Sequence, residues 1–259
     1  MKSQKFKALG FSLIELMIAL VAGLVVSGAA VAFMVSSLRS NNDYIQATKL
    51  EQELRSNLDF VTRDLRRAGY DQDALSYINL PSSSTASSPF NRLQIATGNE
   101  CVVYAYDRFP GTPGQVDLAN QEIRAFRRVA SAVTVNGVAV GVLEFAESST
   151  GRTPDCAAGN GANYSAYPPA CTTSPPAGLS EWCAISDPQV LNVTSFQVNP
   201  SASTFTPGVM LVRDLNVSMT GTLIRSSDIT RTVNTRVKVR ADCLRADPVN
   251  ACAVKPSGI

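Results

Sequence analysis

The apolar positions of this chain fall into three successive patterns. Between Phe11 and Leu38 they are nearly continuous: the run holds one charged side chain, Glu15, and no proline. Twenty-eight helical residues rising 1.5 Å each extend about 42 Å, more than the ~30 Å hydrocarbon core of a bilayer. The pattern predicts a transmembrane helix over 11–38. Beyond it, Leu50, Leu54, Leu58, Val61, Leu65 and Ala68 recur at intervals of three and four. Lys49, Glu51, Glu53, Arg55, Asp59, Arg63 and Asp64 lie between them. This predicts an amphipathic continuation of the helix over 39–69, with the leucine stripe on a core and the charges in water. Arg66 and Arg67 suit the helix C-terminus, and Gly69 suits a left-handed residue just past it. Unbroken from Phe11 to Ala68, such a helix would be about 87 Å long.

From residue 70 onward the period shortens. Cys101 to Tyr106, Val190 to Val198, Leu211 to Thr220 and Thr232 to Arg240 predict strands. Leu215, Val217 and Met219 share one face, as do Val233, Val237 and Val239. One side of this sheet is expected on the helix and the other in solvent. Val133 to Val140 reads as a hairpin, with Asn136-Gly137 supplying the two positive φ angles of a type I′ turn. Residues 81–90, rich in serine and proline, predict a surface connection. Residues 147–182, with Gly151, Pro154, Gly159, Gly161, Pro168, Pro169 and Gly178, predict an irregular insertion within the head. The fold class is α+β: a long N-terminal helix packed on an antiparallel β-sheet head over 70–259.

Charge orients the apolar segment. Lys2, Lys5 and Lys7 precede it without compensating acids, which places the N-terminus in the cytoplasm and the residues after Leu38 outside. A secretory signal peptide is the rival reading, and Ala30-Val31-Ala32 offers a cleavage site. The run, however, is about twice the usual 7 to 15 residues of such a segment. It also holds Glu15, and a carboxylate costs roughly 2.5 to 3.5 kcal/mol at the bilayer centre, so the acid calls for a cationic partner. The chain has no histidine, which excludes Ser-His-Asp and Cys-His nucleophile systems and zinc sites that need imidazole. No constellation of catalytic residues stands out, and the chain is read as a non-enzyme without a cofactor.

The segment Lys7-Ala8-Leu9-Gly10-Phe11-Ser12-Leu13-Ile14-Glu15-Leu16, followed by the apolar run, resembles the class III signal sequence of type IV pilins and type II secretion pseudopilins. The resemblance implies a leader over 1–10, cleavage by prepilin peptidase after Gly10, and N-methylation of Phe11. It further implies that Glu15 of a neighbouring subunit neutralises the new Phe11 amine, whose reference pKa is about 7.7 to 8.0. Each charge alone is costly in lipid and the pair is tolerable, so Glu15 would set subunit register. Unlike typical major pilins the apolar helix lacks proline, with Ala32 where many carry one, and Gly23 and Gly28 are its weak points. Asp64-Leu65-Arg66-Arg67-Ala68-Gly69-Tyr70 and the segment Leu16 to Val26 are similar to PilW-type minor pilins. That resemblance implies a minor pilin acting in pilus initiation or at the tip. Its partners would be other minor and major pilins, prepilin peptidase, the assembly platform and a PilY-type tip adhesin. It would reside in the bacterial inner membrane with a periplasmic head, and then in the pilus. The J-type pseudopilin of type II secretion is the nearest alternative.

The six cysteines, Cys101, Cys156, Cys171, Cys183, Cys243 and Cys252, all follow the apolar segment and are even in number, which points to disulfides. Short loops favour Cys243 with Cys252 and Cys156 with Cys171, leaving Cys101 with Cys183. Arg236, Lys238 and Arg240 on the last strand are candidates for holding DNA phosphates, against the plainer reading of a solvated or salt-bridged face. Asp71-Gln72-Asp73 resembles part of a calcium loop, without visible partners for the other oxygens. The net charge of +2 is owed to the leader: its loss removes three lysines and leaves 20 basic residues against 21 acidic.

Overall fold

The computed structural model describes residues 12–74, 88–109, 111–112, 115–157, 161–162, 164, 171, 175–200, 203–206, 210–239, 243–244 and 256–257. Packing divides the chain into two units, Met1–Gln46 and Ala47–Ile259. Helix α1 (Leu13–Leu65) is continuous through Gly23, Gly28 and Ala32. In the first unit every described residue is exposed up to Ile45. This part of α1 is long and apolar enough to cross a membrane.

In the second unit the leucine stripe is a core. Leu50, Leu54, Leu58, Val61 and Leu65 are buried with Phe196, Val198, Leu215, Val217, Met219 and Val237. The helix closes in two tight turns, Arg67 N–H donating to Asp64 O and Ala68 N–H to Leu65 O. Gly69 then takes φ +77°, the left-handed conformation expected after a helix. Its N–H donates to Ala105 O at 2.8 Å, which fastens the end of α1 to the sheet.

The described residues form three sheets. The largest has β12 (Pro256–Ser257), β1 (Leu93–Ala96), β2 (Cys101–Ala105), β3 (Ile123–Val135), β4 (Val138–Glu147) and β5 (Trp182–Ala184), in that order. All neighbours are antiparallel except β12 with β1. The second is β10 (Ser226–Lys238), β9 (Asp214–Leu223) and β6 (Leu191–Asn199); the third is β11 (Cys243–Leu244), β8 (Met210–Val212) and β7 (Thr204–Thr206). The β3–β4 turn is the expected one: Asn136 has φ 52° and Gly137 φ 80°, and Val135 pairs with Val138. The hairpin reaches well beyond 133–140, from Ile123 to Glu147, and a bulge between Val129 and Val133 places Ser131 at φ 53°. The strand expected over 211–220 is interrupted at Arg213, a fully buried arginine that separates β8 from β9.

Alternation assigns the faces. On β9, Leu215, Val217 and Met219 point into the core while Asn216 is exposed, as expected. The large sheet is covered on both faces. Phe126 of β3 lies in the main core, whereas Ala125 joins Cys101, Ala146 and Trp182 in a second, smaller cluster beneath the insertion. The second face exists because the two described ends of the insertion come together on it: Thr153 bridges Leu179, and Trp182–Ala184 adds to the edge of β4.

Two further expectations are corrected in the head. Residues 81–90 do not all lie on the surface, because Ser88 and Phe90 are buried at the start of a 3-10 turn over Pro89–Asn91; residues 81–87 lie outside the described residues. The pairing of the middle cysteines also differs: Cys101 bonds Cys156, and Cys171 bonds Cys183. The expectation of Cys156 with Cys171 and Cys101 with Cys183 rested on loop length. Closing the 55-residue separation of Cys101 and Cys156 rather than a 15-residue one costs only about 1 kcal/mol more, and the sheet offsets it by seating Cys101 against Cys156. Cys243 lies in β11, and Cys252 falls outside the described residues.

Candidate functional site

Gly10 and Phe11 lie outside the described residues. Glu15 occupies the first turn of α1, where Leu16 N–H donates to Ser12 O at 3.1 Å. A carboxylate is favoured there by the positive end of the helix macrodipole. Around it Leu13, Ile14, Leu16 and Met17 are exposed, as are Leu20, Leu24, Val31 and Phe33 further along. Among the described residues these apolar side chains are therefore left in the open around the helix. A helix apolar on every side belongs in lipid or against other helices.

At its other end α1 is anchored through Asp64. The alternation of charges predicted that this residue faces water; instead it is buried. Its Oδ2 accepts from Arg124 Nη1 at 2.9 Å and from the Tyr104 hydroxyl, and its Oδ1 accepts from the Tyr106 hydroxyl at 3.3 Å. Arg124 also reaches Glu147 Oε2 at 2.8 Å, so one arginine joins the last turn of α1 to β3 and β4. Burial, reinforced by the Asp64 charge, pushes the Tyr104 hydroxyl well above its ordinary pKa, and Tyr106 is raised for the same reasons. Desolvation pulls Arg124 down, and the Asp64 charge outweighs it, so the guanidinium is held more firmly charged than usual.

Both ends of the helix fall within matches to known families. Residues 5–31 match the prokaryotic N-terminal methylation motif, a span that includes Gly10, Phe11 and Glu15. Residues 43–239, more than half of the chain, match the family described as prepilin peptidase-dependent protein B. The chain belongs to that family. No curated protein and no solved structure matches it.

The remaining candidate residues are placed differently from one another. Arg236 faces outward on β10 and is bound by Asp214 at 2.7 Å, and its hydrogen bond holds the Asp214 carboxyl below the usual range. Lys238 is exposed on the same strand, and Arg240 lies outside the described residues. The basic strand thus carries an internal counter-charge. Asp71 and Asp73 are joined by Asp107, with one oxygen from each within 4.8 Å of the others. Asp71 accepts from the Ser88 hydroxyl through Oδ2 and from Asp73 N–H at 2.8 Å through Oδ1, and Asp107 Oδ2 accepts from Gln72 N–H at 3.1 Å, which ties the segment after α1 to the end of β2.

The polar anchors of β3 were not foreseen. Arg127 donates to the fully buried Glu144 at 2.8 Å and lies 3.9 Å over the Trp182 ring. Glu144 in turn accepts from Ala162 N–H at 2.7 Å and from the Tyr164 hydroxyl, so the insertion closes on a buried ion pair. Arg128 donates to Val193 O and to Glu100, both at 2.8 Å, and so links β3 to β6. The available signal was three arginines within the apolar run Ile123 to Val129.

Proposed function

We propose that this protein is a minor pilin of a type IV pilus, cut by prepilin peptidase between Gly10 and Phe11 and methylated on Phe11. The observation that carries the reading is the methylation motif over 5–31 leading into a helix that is exposed up to Ile45 and predominantly apolar up to Leu38. Before assembly the helix rests in the inner membrane, with the leader in the cytoplasm and the head in the periplasm. During assembly it exchanges lipid for the helices of neighbouring pilins. Glu15 pairs with the terminal amine of an adjacent subunit and fixes the register, because either charge left alone in that apolar setting is costly. The head supplies the surfaces that join other minor pilins in a complex that primes or caps the filament.

Two variants test this. Gly10→Ala should leave an unprocessed, membrane-retained precursor, detected by immunoblot as a band larger than the mature chain. Normal processing in that variant would remove the cleavage assignment. Glu15→Ala should still insert in the membrane yet be depleted from sheared filaments, and undiminished recovery would remove the registry role. The PilW-type assignment is separated from a J-type secretion pseudopilin by which filament retains the chain. Recovery with sheared pili supports the first, and dependence on secretion components supports the second.

A further inference from the structure

The two described disulfides join cysteines that are consecutive in the chain, Cys101 with Cys156 and Cys171 with Cys183. The architecture accounts for this order. Cys101 sits on β2 opposite Arg127 of β3, and β3 returns directly into β4, which ends at Glu147. The three-stranded meander that holds Cys101 is therefore complete in sequence before Cys156 appears. Arg127, whose Nε is held by Glu144 of β4, also donates through Nη1 to Asp155 O at 3.4 Å. The residue preceding Cys156 is thus docked on the strand that pairs with Cys101. The second bond repeats the device: Cys183 lies on β5, whose partner strand β4 is already in place, with Phe145 opposite Cys183. When Cys183 arrives, Cys171 is the earlier cysteine of the described disulfides that still lacks a partner.

We infer that the head receives these bonds in chain order from a dithiol oxidase acting on the emerging polypeptide, and that no disulfide isomerase is needed. The inference rests on the proposed placement of the head outside the cytoplasm. In each cycle one cysteine thiolate of the chain attacks the enzyme's disulfide, forming a mixed disulfide and releasing one enzyme thiolate. The second cysteine thiolate then attacks the chain's own sulfur in that mixed bond and releases the other. Two thiols of the chain lose two protons and two electrons, and the enzyme's disulfide becomes a dithiol. A nested arrangement, Cys101 with Cys183 around Cys156 with Cys171, would instead require Cys101 to bypass the first cysteine to reach it.

The test expresses the full chain in three otherwise identical bacterial hosts: wild type, one lacking the periplasmic dithiol oxidase and one lacking the disulfide isomerase. Thiols are alkylated at harvest and the disulfide-linked peptides are mapped by mass. Loss of the oxidase should abolish the Cys101–Cys156 and Cys171–Cys183 peptides, and loss of the isomerase should leave their yield unchanged. Native pairs in wild type that give way to Cys156–Cys171 or Cys101–Cys183 in the isomerase-lacking host would overturn the inference alone. Fully alkylated cysteines in the wild-type host would overturn the compartment reading and the inference with it.

Discussion

Asp64 sits among charged neighbours on α1, yet its carboxylate is the buried end of a network that includes Tyr104, Tyr106 and Arg124. Breaking a buried pair from one side leaves the other charge uncompensated, at a cost of about 3 to 5 kcal/mol. Asp64→Ala should therefore destabilise the head by roughly that amount in thermal unfolding of the detergent-solubilised chain. Asp64→Asn separates charge from shape. Removing the negative charge takes away the second cause of the raised Tyr104 pKa while burial remains, so tyrosinate absorbance should begin to rise at lower pH than in wild type. The sign follows from linkage. A tyrosine whose pKa is raised on folding favours the folded state below its unfolded pKa and loses that contribution as pH climbs toward the folded value. The sequence could not show this role, because Asp64 has the same spacing from the leucine stripe as residues that do face water. Its burial depends on Arg124, sixty residues away, approaching from β3.

Between elements, glycine decides how closely the two larger sheets approach. A Cβ on Gly141 would fall 2.2 Å from the carbonyl oxygen of Val193, backbone against backbone, where Gly141 N–H donates to the Asn192 side chain at 2.8 Å. Gly141→Ala must part β4 from β6 and should cost about 1 to 3 kcal/mol, as overpacking does. Gly137 is the control: a Cβ there meets open space and only the positive φ is strained, so Gly137→Ala should cost about 1 kcal/mol. Denaturant midpoints of the two variants rank the effects, and equal losses would mean that the sheets part easily. The β3–β4 hairpin was legible because its turn chemistry and alternation are local. Strands β1 and β5 were not, because each is short and takes its place from the neighbour it joins.

Across the whole molecule the insertion is fastened to the large sheet by both described disulfides and by Glu144, which accepts from Ala162 N–H and the Tyr164 hydroxyl. In the chain-entropy account the bond closing the longer loop stabilises more: about 4 kcal/mol for a separation of 55 residues against about 3 for one of 12. The double variant Cys101→Ser with Cys156→Ser should thus lower the melting temperature more than Cys171→Ser with Cys183→Ser, read by near-ultraviolet circular dichroism. The opposite ranking would mean that packing of β5, rather than loop closure, dominates. Assembly belongs to the same scale. Among the described residues the head carries its own core and the first half of α1 adds nothing to it, so the proposed assembly repacks that half without disturbing the head's interior.

The sequence by itself determined what depends on neighbours along the chain: a helix with an apolar first half and an amphipathic second half, its glycine stop, the Asn136-Gly137 turn, the alternation of β9 and the prepilin-type N-terminal motif. These follow from periods of 3.6 and 2 and from the conformational freedom of single residues, none of which needs a distant partner. Tertiary structure alone decided which cysteines meet, which arginines of β3 are buried and that Asp64 turns inward. Those outcomes depend on which strands lie side by side. A charge stays buried only where its counter-charge arrives in the right place, and a sulfur pairs with the one the sheet presents to it, whatever the separation in sequence.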